Sequence, residues 1–473
     1  MGQEIDTPDF TSADVAEFRQ RLAEETRLLA DWLSSGALPA GPKVGGFELE
    51  AWLVGSDLRP LPRAPDLLAR LADPLVVPEL ATFNLEFNGT PQVLAGRALS
   101  TMAAELATTW EHAQTVATGL GARLAMVGIL PTVRPEDLIL DHMSPRNRYR
   151  ILNAELSALR GHQPLRLDIQ GRDRLVLTRE DVMAESATTS FQIHLRVPPP
   201  EAARVYNLSK ILSAPLVAVG ANSPYLFGRD LWRETRIPLF EQTCAMGDSG
   251  LRERVSFGLG YVKESILECF TANLAAYPVI LPELHDEPPE RLAHLRLHNG
   301  TIWRWNRPLI GFDPDGSPHL RIEQRVVPAG PTVRDLIATA ALYFGAIQDL
   351  LAEADPTGAL IPFPVAQSNF YAAARLGLEA ELRWLDGRPA TARTILTQDL
   401  LPRARRGLRV LGIDDDEIDT WLGIIAARLG TGQTGAEWQR AWVERHPDQD
   451  MAGMLQAYLD QQHSGRPVHE WPL

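Results

Sequence analysis

The sequence predicts an α+β fold, and three observations carry that reading. Apolar and polar residues alternate over Gly45 to about Asn88, over residues 188–197 and over His294–Val327, the period of strands. Between and after these stretches the apolar spacing is that of amphipathic helices. Strand-like and helix-like segments do not follow one another regularly, which disfavours a doubly wound parallel sheet. There is also no GxGxxG after a strand and no GxxxxGK[ST], so dinucleotide and phosphate-loop readings lose their basis.

Residues 12–34 read as a helix. Thr11 or Ser12 caps it, Val15, Phe18, Leu22 and Leu29 lie near one face, and Gly36 follows its end. The first alternating region is interrupted by turns at Pro60, Pro62 and Pro65. A helix from Ser100 to Gly119, a strand from Leu124 to Gly128 and a helix from Glu201 to Leu212 come next. Pro328-Ala329-Gly330-Pro331 is a strong breaker before a helix spanning Val333 to Ala354. From residue 366 the sequence reads as helical throughout, punctuated by Gly377, Gly387, Gly407 and Gly430, with no repeat period and no low-complexity segment.

Bulk properties narrow the function. A chain of 473 residues allows roughly two to three domains, or one large catalytic unit. Apolar residues make up 45% and charged residues 22%, ample for a core. The balance of 46 Lys plus Arg against 60 Asp plus Glu, net −14, argues against a nucleic-acid partner. The short basic cluster Arg403-Ala404-Arg405-Arg406 reads as a solvated helix end. Two cysteines, Cys244 and Cys269, exclude a disulfide framework and suit a reducing compartment, as plain thiols. Neither a signal peptide nor a membrane span is visible, so the expected location is cytoplasmic, without a membrane partner.

Four strand candidates carry chemistry. Residues i and i+2 of a strand share a face about 6.5–7 Å apart. Glu48 and Glu50 share one; Asn84, Glu86 and Asn88 share another; so do Gln192, His194 and Arg196, and then Arg321, Glu323 and Arg325. Each strand alone is the wet side of an antiparallel sheet. Together the four faces hold acids, an imidazole, amides and arginines but no lysine, a set suited to Mg²⁺ or Mn²⁺ beside phosphate or carboxylate. Two acids at i and i+2 can straddle neighbouring ions at a phosphoryl-transfer site. In Trp303-Arg304-Trp305-Asn306-Arg307, two Trp flanking an Arg offer a clamp for a carboxylate or a ring. A turn at Asn222-Ser223-Pro224 precedes Arg229, Arg233 and Arg236.

Gly-Phe-Glu-Leu-Glu at 46–50, the strand at 85–88, Ser-Phe-Gln-Ile-His at 190–194, Asn222-Ser223-Pro224 and Arg-Ile-Glu-Gln-Arg at 321–325, in this order, resemble the glutamate–cysteine ligase type 2 family of carboxylate–amine ligases. The resemblance spans roughly residues 44–390. It implies a glutamine-synthetase-like, largely antiparallel sheet with a concave active-site face packed by helices. Residues 1–390 would then be the catalytic domain and 391–473 an all-helical region. It also implies ATP and Mg²⁺ (or Mn²⁺) as cofactors, with glutamate phosphorylated at its γ-carboxylate and an amine such as cysteine attacking the acyl phosphate, as in glutathione biosynthesis. Homo-oligomers are compatible with the family.

Carried over by residue, Glu48, Glu50, Glu86, His194 and Glu323 are metal ligands and Arg325 the phosphate-facing arginine. Arg236 and Arg254 reach the nucleotide or acyl phosphate, and Arg321 is a further nucleotide contact. Trp303 and Arg304 take the glutamate end, with Asn88 and Gln192 on the substrate side. Two alternatives stand beside this: ligation of an amino acid to a peptide or natural-product acceptor, and a non-catalytic nucleotide- or amino-acid-binding relative.

Overall fold

The computed structural model describes residues 4–6, 9–353, 355 and 357–473. The expected helix end at Ala354 lies outside these.

The strands are β1 (Val44–Gly55), β2 (Val76–Pro78), β3 (Asn84–Asn88), β4 (Gln92–Val93), β5 (Ala122–Ala125), β6 (Leu165–Gln170), β7 (Arg174–Arg179), β8 (Phe191–Arg196), β9 (Tyr225–Leu226), β10 (Arg229–Asp230), β11 (Asn306–Phe312), β12 (Pro318–Gln324), β13 (Glu381–Arg383) and β14 (Pro389–Thr391). Eight of them form one curled antiparallel sheet in the order β11-β12-β8-β1-β3-β2, with β4 and β5 also on β1. The remaining six make three separate two-stranded ribbons. The fold is α+β, as predicted.

Alternation sets the two faces of the large sheet. Phe47, Leu49, Ala51, Phe191, Ile193, Leu195 and Ile322 are buried on its back, where the helices Ala98–Thr118, Ala202–Gly220 and Val333–Leu350 pack. Each such Leu, Ile or Phe stabilises by roughly 1.5–3 kcal/mol, so register on this side is firmly held, and with it the polar residues in front. Gly45 belongs to the same packing: an added Cβ would meet Leu94 and Phe344 side chains at 2.8 Å.

The first helix, Ser12–Ser35, is capped as predicted. Thr11 and Asp14 form a reciprocal capping box, and Gly36 closes the end in the left-handed region (φ 73°). The breaker at Pro328–Pro331 separates β12 from the helix Val333–Leu350. Two expectations need correction. The third alternating region opens with a helix, Ala293–Asn299. Glu25 of the first helix fixes it by accepting from the Leu295 amide (2.7 Å) and pairing with His294 Nδ1 (2.6 Å), so a tertiary contact overrides the local pattern. The stretch after residue 366 is not helical throughout, because β13 and β14 form a hairpin turning at Gly387 (φ 75°).

Residues 392–473 are otherwise helical and lie against the helices that back the large sheet. Arg428 donates to Asp335 (2.7 Å) in a pair that is nearly solvent-free. Asp335 also accepts from Val468 N (3.1 Å). Asn222 donates to Tyr458 and to the Ala329 carbonyl, so the Asn222-Ser223-Pro224 turn is a latch for the C-terminal helices. Arg403 and Arg406 pair with Asp349, and Arg405 with Asp419. The basic cluster is thus neutralised in place.

Candidate active site

Strand register brings the predicted polar faces together. Glu48 stands opposite Asn88 and Gln192, Glu50 opposite Glu86, and His194 opposite Glu323. Two groups of possible ligands result, each with its donor atoms within 4.8 Å of one another: Glu48, His194 and Glu323, and Glu50, Glu79 and Glu86. The five residues expected to hold metal all fall in these two groups. Glu79 joins the second group and was missed because Pro78 breaks the alternation that places residues 77 and 79 on the face of Glu86.

The first group is ringed by cations. Arg307 holds Glu323 with two bonds (Nε–Oε2 2.9 Å, Nη2–Oε1 3.0 Å), and Arg325 adds a third at 3.2 Å. Burial raises the Glu323 pKa, but Arg307, Arg325 and His194 outweigh it and keep the carboxyl well below its usual range. His194 Nε2 is buried without a hydrogen-bond partner, 3.4 Å from Glu48 and 3.8 Å from Glu323. Burial, with Arg321 adding to it, pulls its pKa down to about 4 against the opposing pull of Glu48, so the ring is neutral. Its Nδ1 accepts from Arg321 Nε (3.0 Å), which leaves the proton on Nε2. Ligation through Nε2 requires that proton to move to Nδ1 and Arg321 to turn away. The adjoining clefts are lined by Arg196, Arg296, Arg307 and Arg321, and by the bare backbone of Gly45, Gly46 and Gly89.

The second group has the opposite surroundings. Burial pushes Glu50 up to about 7, with Glu86 adding to the rise and Arg325 opposing it. Burial followed by Glu50 lifts Glu79 to about 7, and burial with Glu48 and Glu79 lifts Glu86 to about 7. Glu185, from the turn Met183–Ala187, is pushed well up by burial, Glu79 and Glu50. Carboxyls so close retain protons unless a cation joins them. Each group could hold a hard divalent ion: one offers two carboxylates and an imidazole, the other three carboxylates. A cleft runs over this group and onto apolar side chains.

The other predicted residues divide. Gln192 donates to Glu50 (2.9 Å) and accepts from Arg325, while Asn88 donates to Glu86 (3.0 Å). Arg325 and Trp303 line the cleft. Arg236 lies beneath it and donates to the Arg325 and Val326 carbonyls, so it positions the strand end. Arg254 and Arg304 are not brought to the cleft. Arg254 donates to Thr301 and Pro278, and Arg304 is buried over the Tyr277 ring at 5.6 Å. Sequence reasoning missed Arg148, Tyr149 and Glu185, which line the cleft from a helix and a turn with no alternation to read. Arg307 was legible only as part of the Trp-rich segment.

The sequence profile of glutamate–cysteine ligase family 2 matches residues 44–461. No curated protein matches the chain in sequence. Among solved structures, it is similar to glutamate–cysteine ligase from Francisella tularensis in complex with AMP, at 12% identity and TM-score 0.58, over 92% of this chain and 91% of that one. A bifunctional glutathione synthetase from Pasteurella multocida shares 12% identity over 89% of this chain and 52% of its own, with TM-score 0.47. The fold is glutamine-synthetase-like. With its acidic sheet face in register and the profile covering most of its length, the chain belongs to glutamate–cysteine ligase family 2 and is an ATP-dependent ligase.

Proposed function

We propose that the protein joins glutamate to an amine at the γ-carboxylate, through an acyl phosphate made from ATP. The observation carrying this reading is the pair of triads two residues apart on β1, with Arg325 bridging from Gln192 to Glu323. Glu48, His194 and Glu323, and Glu50, Glu79 and Glu86, would hold Mg²⁺ or Mn²⁺. When bound, such ions neutralise and polarise phosphate oxygens. The arginine-lined Glu48 end suits the polyphosphate, and the Glu50 end suits glutamate and the amine.

Arg325, held by Arg236 through its carbonyl, is placed to stabilise charge on the transferring phosphoryl group. The γ-carboxylate oxygen attacks the terminal phosphorus and ADP leaves. The amine nitrogen then forms a bond to the acyl carbon, the C–O bond to phosphate breaks, phosphate leaves with its electron pair, and the nitrogen's proton goes to water. Residues 1–390 form the catalytic unit in this reading, with 391–473 bracing it. A cytoplasmic location follows from the chemistry; among the described residues no helix is long and apolar enough to cross a membrane.

The test is an assay with ATP, Mg²⁺, glutamate and hydroxylamine. Glutamyl hydroxamate and ADP should appear together. ADP release that ignores both glutamate and amine would defeat the proposal.

A further inference from the structure

One helix, Asn147–Leu159, supplies Arg148, Tyr149, Leu152 and Leu156 to the lining of the cleft over Glu50, Glu79 and Glu86. Arg148, Leu152 and Leu156 are spaced by four residues and so form one strip along it. Arg148 stands at the end of the strip that also borders the Glu48 cleft. The helix cannot finish its own start. Its cap position is Arg146, which makes no capping bond, and the first turn, Asn147-Arg148-Tyr149-Arg150, contains no acid. Three arginines crowd the end where the backbone dipole is positive and the first N–H groups need acceptors.

The missing cap comes from residues 4–6. Glu4 Oε1 accepts from the Arg148 backbone N–H (3.2 Å), and its Oε2 pairs with Arg146 Nη1 (3.3 Å). The Asn147 side chain donates to the carbonyls of Ile5 (3.2 Å) and Asp6 (3.4 Å). Ile5 is 1% exposed and belongs to the same hydrophobic core as Ile151 and Leu152. An oxygen on the N–H of the second helical residue is what a local Asp or Ser usually provides; here it arrives from 144 residues away. The partly exposed Glu4–Arg146 pair adds little, so the capping bond and the burial of Ile5 do the holding. Further along, Asn153 accepts from the Val182 N–H (3.1 Å), which ties the middle of the helix but not the turn that carries Arg148.

Resting on the ligase reading, we propose that Glu4 is a positioning residue for the reaction. Anchored by Ile5, it caps the helix and thereby fixes Arg148 and Leu152 for the substrate lodged against them, glutamate in that reading. Glu4 acts through the backbone of Arg148. Without the cap the first turn frays, the fraction of molecules with this wall in place falls, and the apparent affinity for glutamate falls with it. The triads and Arg325 stay as they are, so turnover of the bound complex is kept. The cleft at the Glu48 end is lined mainly by β11, β12 and the helix Ala293–Asn299, so the nucleotide should feel the change least.

The full chain carrying Glu4→Ala, Glu4→Gln or Ile5→Asp is compared with the parent in two measurements. Hydrogen exchange read by mass spectrometry needs no turnover. Amides of residues 148–156 should exchange about fivefold faster in Glu4→Ala, the scale of one lost cap, and faster still in Ile5→Asp, with β1 and β8 unchanged. In the hydroxamate assay, KM for glutamate should rise about fivefold in Glu4→Ala, while kcat and KM for ATP stay within about twofold. Glu4→Gln, whose amide oxygen can still accept from Arg148, should recover most of the loss. Unchanged exchange over 148–156 in both Glu4→Ala and Ile5→Asp overturns the inference. So does faster exchange with an unmoved glutamate KM, or with KM for ATP rising equally, the marks of a merely structural tie. A parent that forms no hydroxamate defeats the ligase reading and the positioning role with it, whereas the preceding outcomes defeat the positioning role alone.

Discussion

The two acidic triads occupy one face of one sheet and start from residues two apart on β1, yet their surroundings are opposite. Around Glu48, His194 and Glu323, arginines bind the carboxylates and hold Glu323 ionised. Around Glu50, Glu79 and Glu86, burial and the mutual approach of acids outweigh Arg325, and the carboxyls are lifted to about 7. The same residue type on the same strand therefore arrives at two charge states. Neighbours supplied by distant segments decide which.

That contrast can be broken or sharpened by experiment. The largest effect is expected at the charged triad: Glu323→Gln should lower kcat by about 10³-fold or more, since it weakens a ligand and frees Arg307 and Arg325 together. Turnover within tenfold of the parent, measured as ADP release by a folded protein, would remove Glu323 from the site. At the protonated triad, Glu79→Gln should raise the Mg²⁺ concentration needed for half-maximal turnover by about 10–100-fold. An unchanged Mg²⁺ titration would reduce that triad to its two strand residues.

The pH response should differ as well. Protons compete with the ion at Glu50, Glu79 and Glu86, so the Mg²⁺ requirement should rise as pH falls from 8 to 6, by about tenfold per unit for each proton displaced. Without metal the sign reverses. These carboxyls bind protons more tightly folded than unfolded, so their stabilisation is present at low pH and is lost as pH rises through about 7. Melting of the metal-free protein at pH 6 and 8 should show the higher Tm at pH 6, with added Mg²⁺ narrowing the gap. The smallest effect is expected at Arg304. Lying off the cleft, Arg304→Gln should change kcat/KM by less than about threefold while lowering Tm, because it removes a buried cation packed on Tyr277. A large kinetic loss at unchanged Tm would return it to the site.

Much of this site was legible because strands make it so. A period of two fixes which residues share a face, and four strands with acids, an amide and an imidazole on the polar side predict where ligands gather. Glu48, Glu50, Glu86, His194 and Glu323 follow from that rule alone once the strands pair. Helix periodicity and caps likewise located Ser12–Ser35. Glu79 was lost to one proline, and the helix at Ala293–Asn299 was misread because its stability comes from Glu25, some 270 residues away.

By itself, then, the sequence determined an α+β chain with a carboxylate-bearing sheet face, since alternation and capping are local properties written within a few residues. Only the tertiary structure decided that the face splits into two triads. It also decided that Arg307 and Arg325 charge one of them, and that Glu185 and an apolar wall border the other. Those decisions depend on charge and burial around each carboxyl, which are set by side chains arriving from elements far apart in the chain.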